Sequence, residues 1–253
     1  MRVKIFIEKS IHDNAAYYYE QAKEARKKAA GAEKAIVETK KEMGRLSNKK
    51  QEQKKVRVKR KKEWYEAFHW FFTSDGKLAV GGKTAQQNDL VFKKHMDDVD
   101  LFFHADIQGG SAMILKDGTT APEQELKEVA QFAASFSNAW KNANAAVDVY
   151  AVKKEQVAKH AQGGYIPTGA FAITGERQWF RSTPLAIKVG LQDGTPRSVP
   201  ANYGKKLDKE ITIVPGKAGY EKGQLAKKLA TALGIEFNDL MELLPSGKTK
   251  IKR

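Results

Sequence analysis

The sequence contains no cysteine, which excludes disulfides and thiolate-ligated zinc and leaves the redox compartment open, with a reducing cytoplasm as the default. It also lacks any run approaching the ~18 to 20 apolar residues of a membrane span. The opening MRVKIFIEKS interrupts its apolar residues with charges, so neither a signal peptide nor an anchor is expected and the protein is assigned to the cytoplasm. The histidines at 12, 69, 95, 104 and 160 fall at no metal-ligand spacing, so neither a metal nor another cofactor is expected. No G-x-S-x-G elbow surrounds Ser111, which removes the usual signature of a serine nucleophile. Finally, the body of the chain lacks an excess of positive charge. The formal net charge is +15, yet residues 63–244 sum to −1.

The charge therefore sits near the two ends. Residues 21–62 hold 17 Lys and Arg against 5 Glu, and residues 245–253 hold four basic residues and no acid. Simple field attraction toward a polyanion belongs to these segments, and recognition by the neutral body must come from particular groups. From Ile11 a small or apolar residue recurs at alternating steps of four and three, through Ala15, Tyr18, Ala22, Ala25, Ala29, Ala32, Ile36, Thr39, Met43 and Leu46. That is a heptad seam, poor in buried area while it is alanine-rich, and it calls for a partner helix. Gly31, Gly44 and Ser47-Asn48 are possible breaks, so a single helix, a bent helix and a hairpin all stay open. We divide the chain into a basic helical arm (1–62), a domain (63–191), a small accessory lobe (192–244) and a basic disordered tail (245–253).

After the arm the pattern changes. Seven cations in residues 54–62, among them Lys59, Arg60 and Lys62, run directly into Trp64, Tyr65, Phe68, Trp70, Phe71 and Phe72. Cations beside stacking rings suit phosphate and base contacts, whereas Trp64, Phe68 and Phe71 at helical spacing also suit a core. Ser74-Asp75-Gly76-Lys77 reads as a hairpin turn, followed by a strand at 78–80 and a helix at 85–96. Strands are expected at 100–106, 112–116, 148–152, 170–174 and 186–191. One helix of about 18 residues should open at Pro122-Glu123 and end near Asn142. A linker to residue 209, a strand at 211–214, a Pro215-Gly216 turn and helices at 224–233 and 237–243 complete a mixed α+β body.

Several residues carry chemistry. Gly81-Gly82-Lys83 lies between a strand and a helix start, where backbone N–H groups, the helix dipole and a lysine converge on a phosphate, although glycine pairs also simply make turns. Gln87 and Asn88 offer amides to bases or ribose. His104 and Asp106 stand two apart on a strand before the turn Gln108-Gly109-Gly110-Ser111, readable as a catalytic pair or as a polar pair that orients the loop. Thr168, in Thr168-Gly169-Ala170-Phe171, joins the list. Arg177 and Arg181 can neutralise phosphates and Trp179 can stack on a base, or Trp179 can belong to the core.

Four segments in order, KRKKEWYEAFHWFFTSDGKLAVGGKTAQQNDLVFKKHM from Lys59, DLFFHADIQGGSAMILK from Asp100, AQFAASFSNAWK from Ala130 and GGYIPTGAFAITGERQWF from Gly163, resemble the NFACT-R domain. This is the RNA-binding module of the ribosome quality-control and fibronectin-binding-protein-A-like family, and the helical lead-in resembles its archaeal members. Thr84, Gln108 and Gly110 depart from the family's frequent Asp, His and Ala. No segment resembles the family's NFACT-N or helix-hairpin-helix parts, so its tail-adding activity is not carried over. The resemblance implies a non-catalytic protein binding rRNA of the large subunit or tRNA through Lys59, Arg60, Lys62, Gly81, Gly82, Lys83, Gln87, Asn88, His104, Asp106, Gln108, Ser111, Thr168, Arg177, Trp179 and Arg181. Two alternatives stand beside it: an RNA-processing enzyme using His104 and Asp106, and a coiled-coil adaptor for a separate NFACT-N-type protein.

Overall fold

The computed structural model describes residues 3–52, 62–159 and 166–252, which fall into two compact units, Met1–Lys61 and Lys62–Arg253. In the first, helix α1 (Ile11–Glu52) runs unbroken for 42 residues through Gly31, Gly44 and Ser47-Asn48, a length of about 63 Å. Its start is fixed by sequence. Ser10 Oγ accepts from the Asp13 N–H at 3.1 Å, the arrangement expected of an N-cap. Asn14 accepts from the Phe6 N–H at 2.9 Å and donates to the Phe6 and Ser10 carbonyls at 3.0 Å each, and Tyr18 donates to the Lys4 carbonyl. The leading residues thus fold back on the first turns. The heptad seam is largely uncovered from Ile11 to Met43, with Ile11 87% and Met43 65% exposed.

The second unit contains, in chain order, β1 (His69–Phe72), β2 (Leu78–Gly81), α2 (Ala85–His95), β3 (Leu101–Ala105), β4 (Met113–Leu115), α3 (Glu123–Ser135), α4 (Asn138–Lys141) and β5 (Ala146–Lys153). It continues through β6 (Val157–Ala158), β7 (Ala172–Ile173), β8 (Gln178–Pro184), β9 (Ile187–Gln192), β10 (Thr195–Pro200), β11 (Lys209–Tyr220), α5 (Lys222–Leu233), α6 (Phe237–Leu243) and β12 (Thr249–Ile251). The fold is α+β. A six-stranded antiparallel sheet has the order β1-β2-β4-β3-β5-β8, and a four-stranded sheet has the order β10-β9-β11-β12.

The inner strands β2, β3 and β4 of the large sheet are almost wholly apolar because both faces are covered. Leu101, Phe103 and Ala105 join the core beneath α3, while Phe102, Val80, Ile114 and Val152 join the one beneath α2. This is the alternation that side chains on successive strand positions must show. The single helix expected from 123 to 142 is instead α3 and α4. Ser137 interrupts it by donating to the Ala134 carbonyl at 2.7 Å and accepting from the Ala139 N–H at 3.1 Å, so it caps the second helix.

The last 60 residues differ from their expected organisation. The boundary at 191/192 falls inside the β9–β10 hairpin, where Leu191 pairs with Pro196 and Gln192 with Thr195. Ile187, Val199, Ile213, Leu225, Leu229 and Leu240 belong to the same core as Phe71, Phe103 and Phe132, so 192–244 is not a separate lobe. The expected turn at Pro215-Gly216 lies within β11, which bends through an irregular register against β12. Nor is 245–252 a disordered tail. β12 pairs with β11, Thr249 is buried, and its Oγ1 accepts the Trp140 indole N–H at 2.9 Å. The basic residues of that segment masked a three-residue strand.

Candidate functional site

The β2–α2 connection is built for close approach. A Cβ on Gly82 would stand 2.3 Å from Asn88 Oδ1 and 2.4 Å from Asn88 N, so only glycine lets the strand end press on the helix start. Thr84 caps α2 by accepting from the Gln87 N–H at 3.2 Å, and Gln87 Oε1 accepts from the Lys83 N–H at 2.9 Å. This reciprocal pair satisfies helix-start donors. Thr84, where the resembled family often has Asp, supplies the same acceptor. Asn88 is buried and accepts from the Ala112 N–H at 3.4 Å, and Ser111 Oγ donates to the Gly82 carbonyl at 3.0 Å.

These elements frame a cleft of about 870 Å³. It is lined by Gly82, Lys83, Asn88, His104, Gln108, Ser111 and Thr168 from the expected set, and by His69, Asn138, Lys141, Tyr150, Phe171, Lys222 and Glu242, which that set omitted. Asn138 shapes the rim by donating to the Gln108 carbonyl at 3.1 Å. The Thr168 turn is tied to α2, since the Gly169 N–H donates to Asp89 Oδ1 at 3.0 Å and Lys159 pairs with the same carboxylate.

Burial and charge set the protonation states. Burial, reinforced by Lys83 and Lys222, lowers the His69 pKa to about 3. Burial likewise lowers Lys83, with Glu242 opposing and Lys62 assisting, and lowers Lys222, with Lys83 assisting. His104 is lowered by burial against the opposing pull of the Ala105 and Gly110 backbone and the Asp106 charge. Two crowded ammonium groups and a neutral imidazole thus face one space, an arrangement that an entering anion relieves.

Other expected residues lie elsewhere. Gly81 is buried in β2, where a Cβ would meet Met113 Sδ at 2.4 Å. Gln87 is occupied in the cap, and Lys62 is exposed before β1. Asp106 is exposed, and its N–H donates to the Asp148 carbonyl at 2.8 Å. Among the described residues no group of three metal-ligating side chains forms. Arg177, Trp179 and Arg181 form a second patch: Arg181 stacks 3.8 Å over the Trp179 ring and pairs with Asp148 at 2.6 Å, while Arg177 lies 4.7 Å over Tyr150. Tyr150 connects this patch to the cleft. Lys59 and Arg60 lie outside the described residues. His69 was legible once β1 is registered on β2, since it pairs with Gly81. Lys222 carried no local signal.

The family model for the NFACT protein RNA-binding domain matches residues 67–175. The archaeal Rqc2 homolog aRqcH of Methanocaldococcus jannaschii is 38% identical over 216 residues, 81% of this chain and 32% of that protein. The ribosome quality control complex subunit NEMF homolog of Drosophila melanogaster is 35% identical over 189 residues, 70% of this chain and 18% of that one. Ribosome quality control complex subunit 2 of Schizosaccharomyces pombe is 31% identical over 215 residues, 81% and 21%. The chain therefore spans a third or less of each of these relatives.

Proposed function

The chain carries an NFACT protein RNA-binding domain over residues 67–175, and from that premise we propose that it is a non-catalytic RNA-binding protein of ribosome quality control, engaging large-subunit rRNA or tRNA. The observation that carries this reading is the cleft where Lys83 and Lys222 converge beside the start of α2. Backbone N–H groups, a helix N-terminus and paired lysines together suit a phosphate. A binding role also suits the residues an enzyme would use. The Ser111 hydroxyl is committed to the Gly82 carbonyl, and His104 is held by the Ala105 and Gly110 backbone.

The basic arm supplies affinity and the cleft supplies fit. An arm neutralising ~6 to 10 phosphates loses roughly 10³ to 10⁵ in affinity between about 50 and 200 mM salt. Binding to tRNA and rRNA fragments should follow that slope, and removing residues 21–62 should flatten it. Lys83→Ala with Lys222→Ala should weaken binding at every salt concentration while the slope changes little. An intact RNA affinity in the double variant would refute the role given to the cleft.

A further inference from the structure

The cleft is chemically polar along its walls. Lys83, Lys141 and Lys222 line it, and the ammonium group of none of the three has a hydrogen-bonded or ion-paired partner among the described residues. Glu242 lines it too, near enough to act on Lys83 by charge. His69 belongs with this cationic group, since both Lys83 and Lys222 act on it. A different set of lining residues is aromatic. Phe102 and His104 project from the same face of β3 with their rings only 3° from parallel, Tyr150 is the cross-strand partner of His104, and Phe171 lies 5.1 Å from Phe102. Ala85, the first residue of α2, lines the cleft as well.

We infer that the cleft receives one unpaired nucleotide, its phosphate among Lys83, Lys141 and Lys222 and its base against the wall of His104, Tyr150 and Phe171. This rests on the RNA-binding reading and narrows it from RNA in general to an unstacked nucleotide. Three arguments support the step. The volume of about 870 Å³ lies in the range of roughly 300–1,000 Å³ typical of small-molecule sites, room for one nucleotide. Crowded lysines repel one another in a partly desolvated space, and a phosphate is the anion that several ammonium groups and a helix start hold together. Aromatic side chains beside such a site are the usual platform for an unstacked base.

His69 and His104 report on the two sets of residues separately. The full chain is titrated with adenosine 5′-monophosphate, adenosine and inorganic phosphate while the Cε1–H resonances of both histidines are followed by NMR, with RNA binding measured on the same preparation. The monophosphate should move both signals, phosphate chiefly that of His69, and adenosine chiefly that of His104. Lys222→Ala should weaken monophosphate binding roughly tenfold or more, the loss expected of one charge-assisted contact, and Glu242→Gln should strengthen it. Inorganic phosphate binding as tightly as the monophosphate would overturn the inference, because the base would then contribute nothing. If RNA binding persists while neither histidine responds to the monophosphate, the inference falls and the RNA-binding reading stands. Loss of RNA binding altogether would remove both.

Discussion

His69 lies against the Phe136 ring, with centroids 4.0 Å apart, and under the charge of Lys83 and Lys222. Burial first, and then the two lysine charges, disfavour its protonated form. Its folded pKa of about 3 is below the ordinary 6.5, so between those values the unfolded chain binds a proton that the folded chain refuses. Stability must therefore fall as pH drops below about 6.5, at roughly 1 kcal/mol per pH unit for this group. In urea unfolding, the loss between pH 7 and pH 5 should be smaller for His69→Gln than for the unaltered chain. Equal losses would show that the imidazole is not held neutral. At this scale the sequence was a partial guide. Gly82, Asn88 and Ser111 were each read as possible RNA contacts, yet Ser111 is bonded to the Gly82 carbonyl and Asn88 to the Ala112 N–H, so they form the frame of the cleft. Gln87, read as an amide for RNA, serves the helix cap because a Gln three residues after a capping Thr reaches back to the backbone.

Helix α3 shows how an element can hide its buried face. Glu125 and Glu128 are fully buried, where a sequence reading places glutamates in solvent. Glu128 accepts from the Ser74 N–H at 2.9 Å, the Ser74 hydroxyl at 2.5 Å, the Gly204 N–H at 2.9 Å and the Gln124 amide at 3.3 Å. Glu125 accepts from Thr73 and from the Asp75 N–H. The helix thereby grips the β1–β2 turn and the loop after β10. Glu128→Ala should cost about 2–4 kcal/mol by stranding buried donors. Glu128→Gln should not restore it, because an amide NH₂ would face groups that also donate. Thermal unfolding of both variants checks this. The β1–β2 hairpin and α2 were legible from Asp75-Gly76 and Gly81-Gly82, where turn chemistry is local. Strand β8 was not, since its sequence QWFRSTP alternates weakly and its place is set by pairing with β5.

Across the whole molecule, what local sequence could not disclose is convergence. Lys83 and Lys222 lie far apart in the chain and meet because α5 packs into the core shared by both sheets. The basic composition near the ends argued for a flexible tail, yet the alternation of Thr249, Lys250 and Ile251 places a buried hydroxyl against Trp140. Thr249→Val keeps the shape but leaves the indole N–H without its acceptor, a change worth about 1–3 kcal/mol that chemical denaturation would resolve. The arm obeys a different logic, because its heptad seam is exposed and its energetics are those of charge. β12 also sets an order of events during synthesis. The four-stranded sheet lacks its edge strand, and the buried Trp140 indole its acceptor, until residues 249–251 have left the ribosome. A domain proposed to act on ribosomes thus completes its own fold only beyond the exit tunnel.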